Sequence, residues 1–187
     1  SAGLNHSSAK CAGVEMIKAL EKKMLAEIEQ KFKMLFAPAP TEKIWEWCER
    51  VIYISKNENR NYVGYLDTDV TPWIRELLNA VADPSVKEIT VVAGTQVVKT
   101  MFLLCAKLWW AWHYGTRMLH VMDSKENSGD YAETRLKVMI EASPELRTMK
   151  PRNLKEHWSK RFMRLGNATL NLVGANSTGQ VASRPVP

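Results

Sequence analysis

The sequence predicts an α/β domain with a largely parallel sheet, preceded by helices. Three observations carry that expectation. From about residue 86 onward, strand-like runs alternate with helical ones, the pattern of parallel strands joined by crossover helices. Apolar residues make up 45% of the 187-residue chain, enough for one substantial core. A buried-strand pattern, Glu88–Val92, runs through a short loop into the apolar helix Thr100–Tyr114, with Lys99 and Thr100 at the junction.

Val14, Ile17, Leu20, Met24, Ile28, Phe32 and Leu35 recur at three- and four-residue steps, so residues 8–36 read as one long helix with Lys and Glu on its other face. Ala37-Pro-Ala-Pro40 stops it and makes a stiff linker, which divides the chain into a helix within 1–36 and a domain from 37 to 187. An apolar stripe of this kind serves either packing on its own domain or docking and oligomerisation. Thr41–Ser55 reads as a second helix carrying Trp45, Trp47, Val51 and Ile54, and Lys56–Asp69 as polar and irregular. Thr71 as N-cap and Pro72 at the first helical position open a third helix through Ile74, Leu77, Leu78 and Val81, ended by Asp83-Pro84. Beyond the Glu88–Val92 strand and the Thr100–Tyr114 helix come a strand at Arg117–Met122 and a helix around Asn127–Ala142. Two strand-like runs, Arg161–Leu165 and Thr169–Val173, are joined by the turn pair Gly166-Asn167.

Charge and cysteine usage narrow the function classes. Lys and Arg outnumber Asp and Glu by 26 to 20, a net charge of +6 that favours acidic partners such as nucleic acid or phosphates. Cys11, Cys48 and Cys105 are far apart, odd in number and without metal-ligand spacing, which predicts reduced thiols in an intracellular protein. The longest apolar run, Met101–Trp112, is interrupted by Lys107 and is too short to span a membrane. Residues 1–10 lack the layout of a signal peptide, so a cytoplasmic protein is expected. His6, His113, His120 and His157 build neither a metal site nor a triad.

Other clusters have two readings each. Trp109 and Trp112 share a helix face, either as core packing or for base stacking. Lys150, Arg152, Lys155, Lys160, Arg161 and Arg164 form the most basic region, either a solvated face or a DNA-backbone contact. Asp123, Glu126 and Asp130 read as loop and helix-start residues and not as a catalytic pair.

The junction at Lys99-Thr100 has the layout of a phosphate-binding loop. Triphosphate oxygens need inward backbone N–H groups at a helix N-terminus, a lysine on the outer phosphates and a hydroxyl on Mg²⁺. Lys99 and Thr100 match the last two. In the pattern Gly, four residues, Gly-Lys-Thr, the glycine positions fall on Ala93 and Val98, with Gly94 beside the first. A β-branched residue at Val98 resists positive φ and crowds the space where phosphate meets backbone. On pattern alone, Lys-Thr after a strand also fits an ordinary helix start.

From about Pro40 to the end, the chain resembles the large subunit of tailed-phage terminases, in the lambda-like GpA branch. The segments that carry the resemblance are Tyr65-Leu-Asp-Thr-Asp-Val-Thr-Pro-Trp-Ile-Arg-Glu-Leu-Leu78, Asp83 through Thr100 with Gln96 where the family commonly has Gln, Ser143-Pro-Glu-Leu146, Leu170-Asn-Leu-Val-Gly-Ala-Asn-Ser177 and Ser183-Arg-Pro-Val186. The resemblance implies a RecA-like P-loop ATPase that uses ATP and Mg²⁺ to drive double-stranded DNA into a procapsid, in the host cytoplasm. It implies partners in the terminase small subunit, the portal and other copies of the chain. By position, Lys99 contacts the β- and γ-phosphates, Thr100 ligates Mg²⁺, and Gln96 sits near the γ-phosphate. The backbone from Ala93 and Gly94 through Thr95, Gln96, Val97 and Val98 cradles the phosphates, and Pro72 and Trp73 lie near the adenine. The chain departs from the family at Val98, which stands for glycine, and at Thr95, where related motors often carry arginine. It also ends at Pro187, before the Walker B acidic pair and the nuclease carboxylates. The expectation is therefore an N-terminal part of a packaging ATPase with little or no turnover alone. The alternative is a non-catalytic assembly module that docks through residues 1–36.

Overall fold

The computed structural model describes residues 40–94 and 98–176, together with residues 16, 18, 20–22, 24, 25, 28 and 29. The chain forms two compact units, Ser1–Ala39 and Pro40–Pro187. In the first, every described residue is helical. Cys11, His6 and the tail landmarks from Ser177 on lie outside the described residues.

The second unit begins with three helices that pack on one another: α1 (Ile44–Val51), α2 (Trp73–Ala82) and α3 (Lys99–His113). Helix α1 buries Ile44, Trp47, Cys48 and Val51, one face at steps of three and four. It starts where the Lys43 N–H donates to the Glu46 carboxylate at 3.1 Å. Helix α3 buries Phe102, Leu104, Cys105, Leu108, Trp109 and Ala111, an arc too wide for a surface helix. Trp109 is thus a core residue, and Cys48 and Cys105 are buried free thiols.

Two sheets complete the unit. Strands β1 (Tyr53–Ile54) and β2 (Gly64–Tyr65) form a short antiparallel pair. The buried Ser143 hydroxyl fastens β1 by accepting the Tyr53 N–H at 2.9 Å. A 3₁₀ turn, Thr68–Val70, leads from β2 to α2. The larger sheet has the order β3 (Arg117–Met122), β5 (Ala168–Gly174), β4 (Phe162–Leu165). Strands β3 and β5 are parallel from Arg117↔Thr169 to Met122↔Gly174, while β4 and β5 form an antiparallel hairpin. Gly166 turns that hairpin at φ +55°, a conformation glycine adopts freely. The sheet is therefore mixed, where a largely parallel one is expected.

Between β3 and β4 run α4 (Lys125–Tyr131), a π-helical turn (Ala132–Leu136), α5 (Lys137–Ala142), α6 (Pro144–Arg147) and α7 (Leu154–His157). Ser124 caps α4 by accepting the Asn127 N–H at 3.1 Å. Asp123 accepts hydrogen bonds from the Asn127 amide at 2.9 Å, as a loop residue at a helix start does. Among the described residues no helix is long and apolar enough to cross a membrane, and no cluster of side chains has the makings of a metal site.

Two further expectations fail. The second helix ends at Val51, and its last expected turn becomes β1. More consequentially, Glu88–Val92 forms no strand. Its residues do alternate, with Ile89 and Val91 packed against the core and Val92 94% exposed. That alternation is what the sequence shows. A strand also needs a partner, and neither described sheet, β1-β2 nor β3-β5-β4, takes this segment in.

At the end of β5 the backbone passes close to the start of α4. A Cβ on Gly174 would lie 2.3 Å from Lys125 N and 2.5 Å from Ser124 C. Gly129, inside α4, has only the Lys160 side chain near its Cβ position, at 3.7 Å. Gly174→Ala is expected to lower unfolding free energy by about 2–3 kcal/mol, and Gly129→Ala to raise it by about 0.5–1 kcal/mol. Urea denaturation of the two variants beside the parent checks both signs.

Candidate functional site

Helix α3 begins at Lys99, and Val98 before it has φ +46° and ψ −1°. Among the described residues it is the one non-glycine with positive φ. A β-branched residue in the left-handed region is strained, by about 1–3 kcal/mol. The strain falls where the Gly-Lys-Thr pattern has its glycine. The backbone keeps the conformation that glycine would allow, although the side chain opposes it. Its surroundings hold it there. The Val98 carbonyl accepts the first helical bond, from Phe102 N–H at 2.8 Å, and the buried arc of α3 fixes the helix below. The valine side chain itself packs against the core.

Lys99 and Thr100 are exposed at the helix start. The Lys99 ammonium reaches back across the loop and donates to the Ala93 carbonyl at 3.0 Å. Gly94 is exposed; Thr95, Gln96 and Val97 lie outside the described residues. Val98, Lys99 and Thr100 together line a cavity of about 410 Å³, within the range of small-molecule and cofactor sites. Its apolar walls are Ile54, Leu66, Val70, Met101 and Leu104. Its polar groups are Glu58, Asn59, Tyr62, Asp67, Thr71 and Arg135. Pro72 and Trp73, expected beside the base, do not line it, and Trp73 is 54% exposed at the start of α2.

One wall is held by a charged network. Arg75 lies over the Trp45 ring at 4.5 Å and donates to Thr68 Oγ1 and to Asp69, each at 2.6 Å. The Glu49 carboxylate accepts the Thr68 N–H at 3.1 Å and the Thr68 hydroxyl. This clamp fixes the 3₁₀ turn that leads into Val70 and Thr71. Arg135 comes to the cavity from the π-helical turn. A π-turn inserts an extra residue into the helix, which rotates the facing of the residues after it. Arg135 faces the cavity while Lys137 bonds the Trp158 carbonyl at 3.2 Å.

The basic region is divided. Lys150, Arg152 and Arg164 line a second cavity of about 380 Å³ with Asn153 and His157, whereas Lys155, Lys160 and Arg161 lie outside it and are exposed. Lys150 is also paired with Glu141.

Residues 61–187 match the family of the phage terminase large subunit gpA, ATPase domain. The chain belongs to this family. No curated protein and no solved structure matches it. The gpA ATPase-domain match takes in Lys99, Thr100 and Arg135 and begins just after Glu58 and Asn59. Sequence reasoning passed over Glu58, Tyr62, Asp67 and Arg135. The first three sit in or near a stretch whose polarity reads only as loop. Arg135 depends on a π-turn that no simple periodicity marks.

Behind the cavity, α3 carries a second polar cluster. Lys107 donates to the Tyr131 hydroxyl at 2.6 Å and lies 3.2 Å from His120 Nδ1. The His120 and Tyr131 rings stack at 4.5 Å. Burial pushes the Lys107 ammonium down to about 7 from its ordinary 10.5. Below pH 7 both folded and unfolded chains hold that proton, and the burial penalty is complete. Above it the folded chain sheds the proton first, so stability rises with pH. Burial raises the Cys48 thiol and the Tyr131 phenol, which oppose the trend only in more alkaline solution. Between about pH 7 and 8.5 the parent is expected to gain roughly 1.5 kcal/mol relative to Lys107→Met. Guanidinium unfolding curves at the two pH values test this.

Proposed function

We propose that this chain is the ATP-binding part of a DNA-packaging motor, with a P-loop of the RecA-like type coupling ATP hydrolysis to translocation of double-stranded DNA. The observation that carries the proposal is the left-handed backbone at Val98, immediately before Lys99-Thr100 in a terminase ATPase-domain family member. A positive φ there turns the chain into the helix so that backbone N–H groups converge on one point, the arrangement that binds phosphate oxygens. The residues present fit Mg-ATP. Lys99, which donates to the Ala93 carbonyl, would hold the β- and γ-phosphates instead, an ion pair in place of a bond to a neutral oxygen. Thr100 offers its hydroxyl to Mg²⁺, which screens phosphate charge when bound. Gln96 and the backbone of Gly94 to Val98 complete the cradle, and the apolar walls exclude water from the base.

Arg135 supplies a second cation in the same cavity. It is suited to the charge role that Thr95 cannot fill. For DNA, the exposed Arg152 and Arg164 beside Lys150 are the groups best placed for backbone phosphates. Contacts of that kind weaken with salt and carry no base preference.

Mg-ATP is expected to raise the melting temperature of the chain. A tenfold excess over Kd corresponds to about 1.4 kcal/mol of stabilisation. Lys99→Ala is expected to abolish the rise. No shift in the parent at millimolar Mg-ATP would contradict the proposal.

A further inference from the structure

We propose that the helix of the first unit pairs two copies of this chain, antiparallel, through its apolar stripe. The surface lies outside the nucleotide cavity, and its occupant is the same helix of a second copy.

The described residues of this unit, from 16 to 29, are all helical and all exposed. Met16, Leu20, Met24 and Ile28 follow one another at steps of four, an arc of about 120° around the helix. Leu25 carries that arc toward one flank. The exposure of these five runs from 50% at Ile28 to 65% at Met16. A stripe of that width on a stable helix is covered by something. Together the five side chains present about 500 Å² on each copy, so a pair buries about 1,000 Å², the lower bound for a specific interface.

Charge decides the direction. Lys18, Glu21, Lys22, Leu25 and Glu29 line one groove, so the two lysines and Glu29 share a flank of the stripe. An antiparallel pair turns that flank, reversed, onto the same flank of the other copy. Lys18 of each copy then stands opposite Glu29 of the other, and two-fold symmetry makes both ion pairs at once. This register brings Met24 of both copies to the centre of the seam. A parallel pair in register sets Glu21 against Glu21 inside the stripe, like charges at close range. In the antiparallel pair the two Glu21 positions are about five residues apart, roughly 7 Å along the axis.

Sedimentation equilibrium of the whole chain in low salt tests the pairing. The parent is expected to dimerise with a dissociation constant on the order of 10 µM. Met24→Glu changes an exposed residue and should fold as the parent does by circular dichroism, yet remain monomeric. Lys18→Glu and Glu29→Lys each set like charges opposite one another, and each alone should dimerise about tenfold more weakly. Mixed in equal amounts, the two variants should associate as tightly as the parent, because each copy supplies the charge that the other lacks. A parent that stays monomeric at about 100 µM would overturn the proposal, as would dimerisation that Met24→Glu leaves intact. A mixture that recovers nothing would overturn the antiparallel direction.

Discussion

One backbone torsion governs this molecule. Val98 sits at φ +46°, and the chain enters helix α3 from there. With a negative φ the loop would leave the helix in another direction, and Lys99 and Thr100 would not open onto the cavity. Valine is among the least suited residues for that conformation. Its presence means that the rest of the fold supplies the difference. The fully buried Leu104, Cys105 and Leu108 lock α3 against α1 and α2. The strain is local, and the support for it is spread through the core.

The cavity walls share this logic of a short irregular segment fixed by a few strong contacts. The 3₁₀ turn at Thr68–Val70 is short and polar, yet Arg75, stacked on Trp45 and bonded to Thr68 and Asp69, ties it to α1 and α2. The π-turn at Ala132–Leu136 brings Arg135 to the same cavity. Strand β5 ends at Gly174 against the backbone at Ser124 and Lys125, which sets where α4 begins.

Elements with a strong local period were legible in the sequence. Arg117–Met122 is a strand over its whole expected length, and the Gly166 hairpin lies where the turn pair marks it. Helix α3 was legible from its apolar run, and with it the exposed Lys99-Thr100 start. Features that depend on partners were not. Glu88–Val92 alternates like a strand, but pairing is a property of two segments and only one of them is in the pattern. The sheet's mixed character comes from β4, whose direction is set by a two-residue turn and not by the α/β alternation. Glu58 was unreadable for a similar reason: the residues that line the cavity with it, Leu104 and Arg135 among them, are distant in sequence. The glycine position at Val98 was readable as a conflict, and the structure resolves it in favour of the backbone.

The central claim is that the fold forces glycine geometry on a valine, and its sign can be measured. In an ordinary, partly buried site, Val→Gly removes packing and adds unfolded-chain entropy, a loss of about 1–3 kcal/mol. At a strained left-handed site, relief of strain offsets that loss. The most direct measurement is the unfolding free energy of Val98→Gly by urea titration. The account predicts stability equal to the parent or up to about 1 kcal/mol higher. A loss of about 2 kcal/mol or more would mean that Val98 rests in unstrained backbone, and would contradict it.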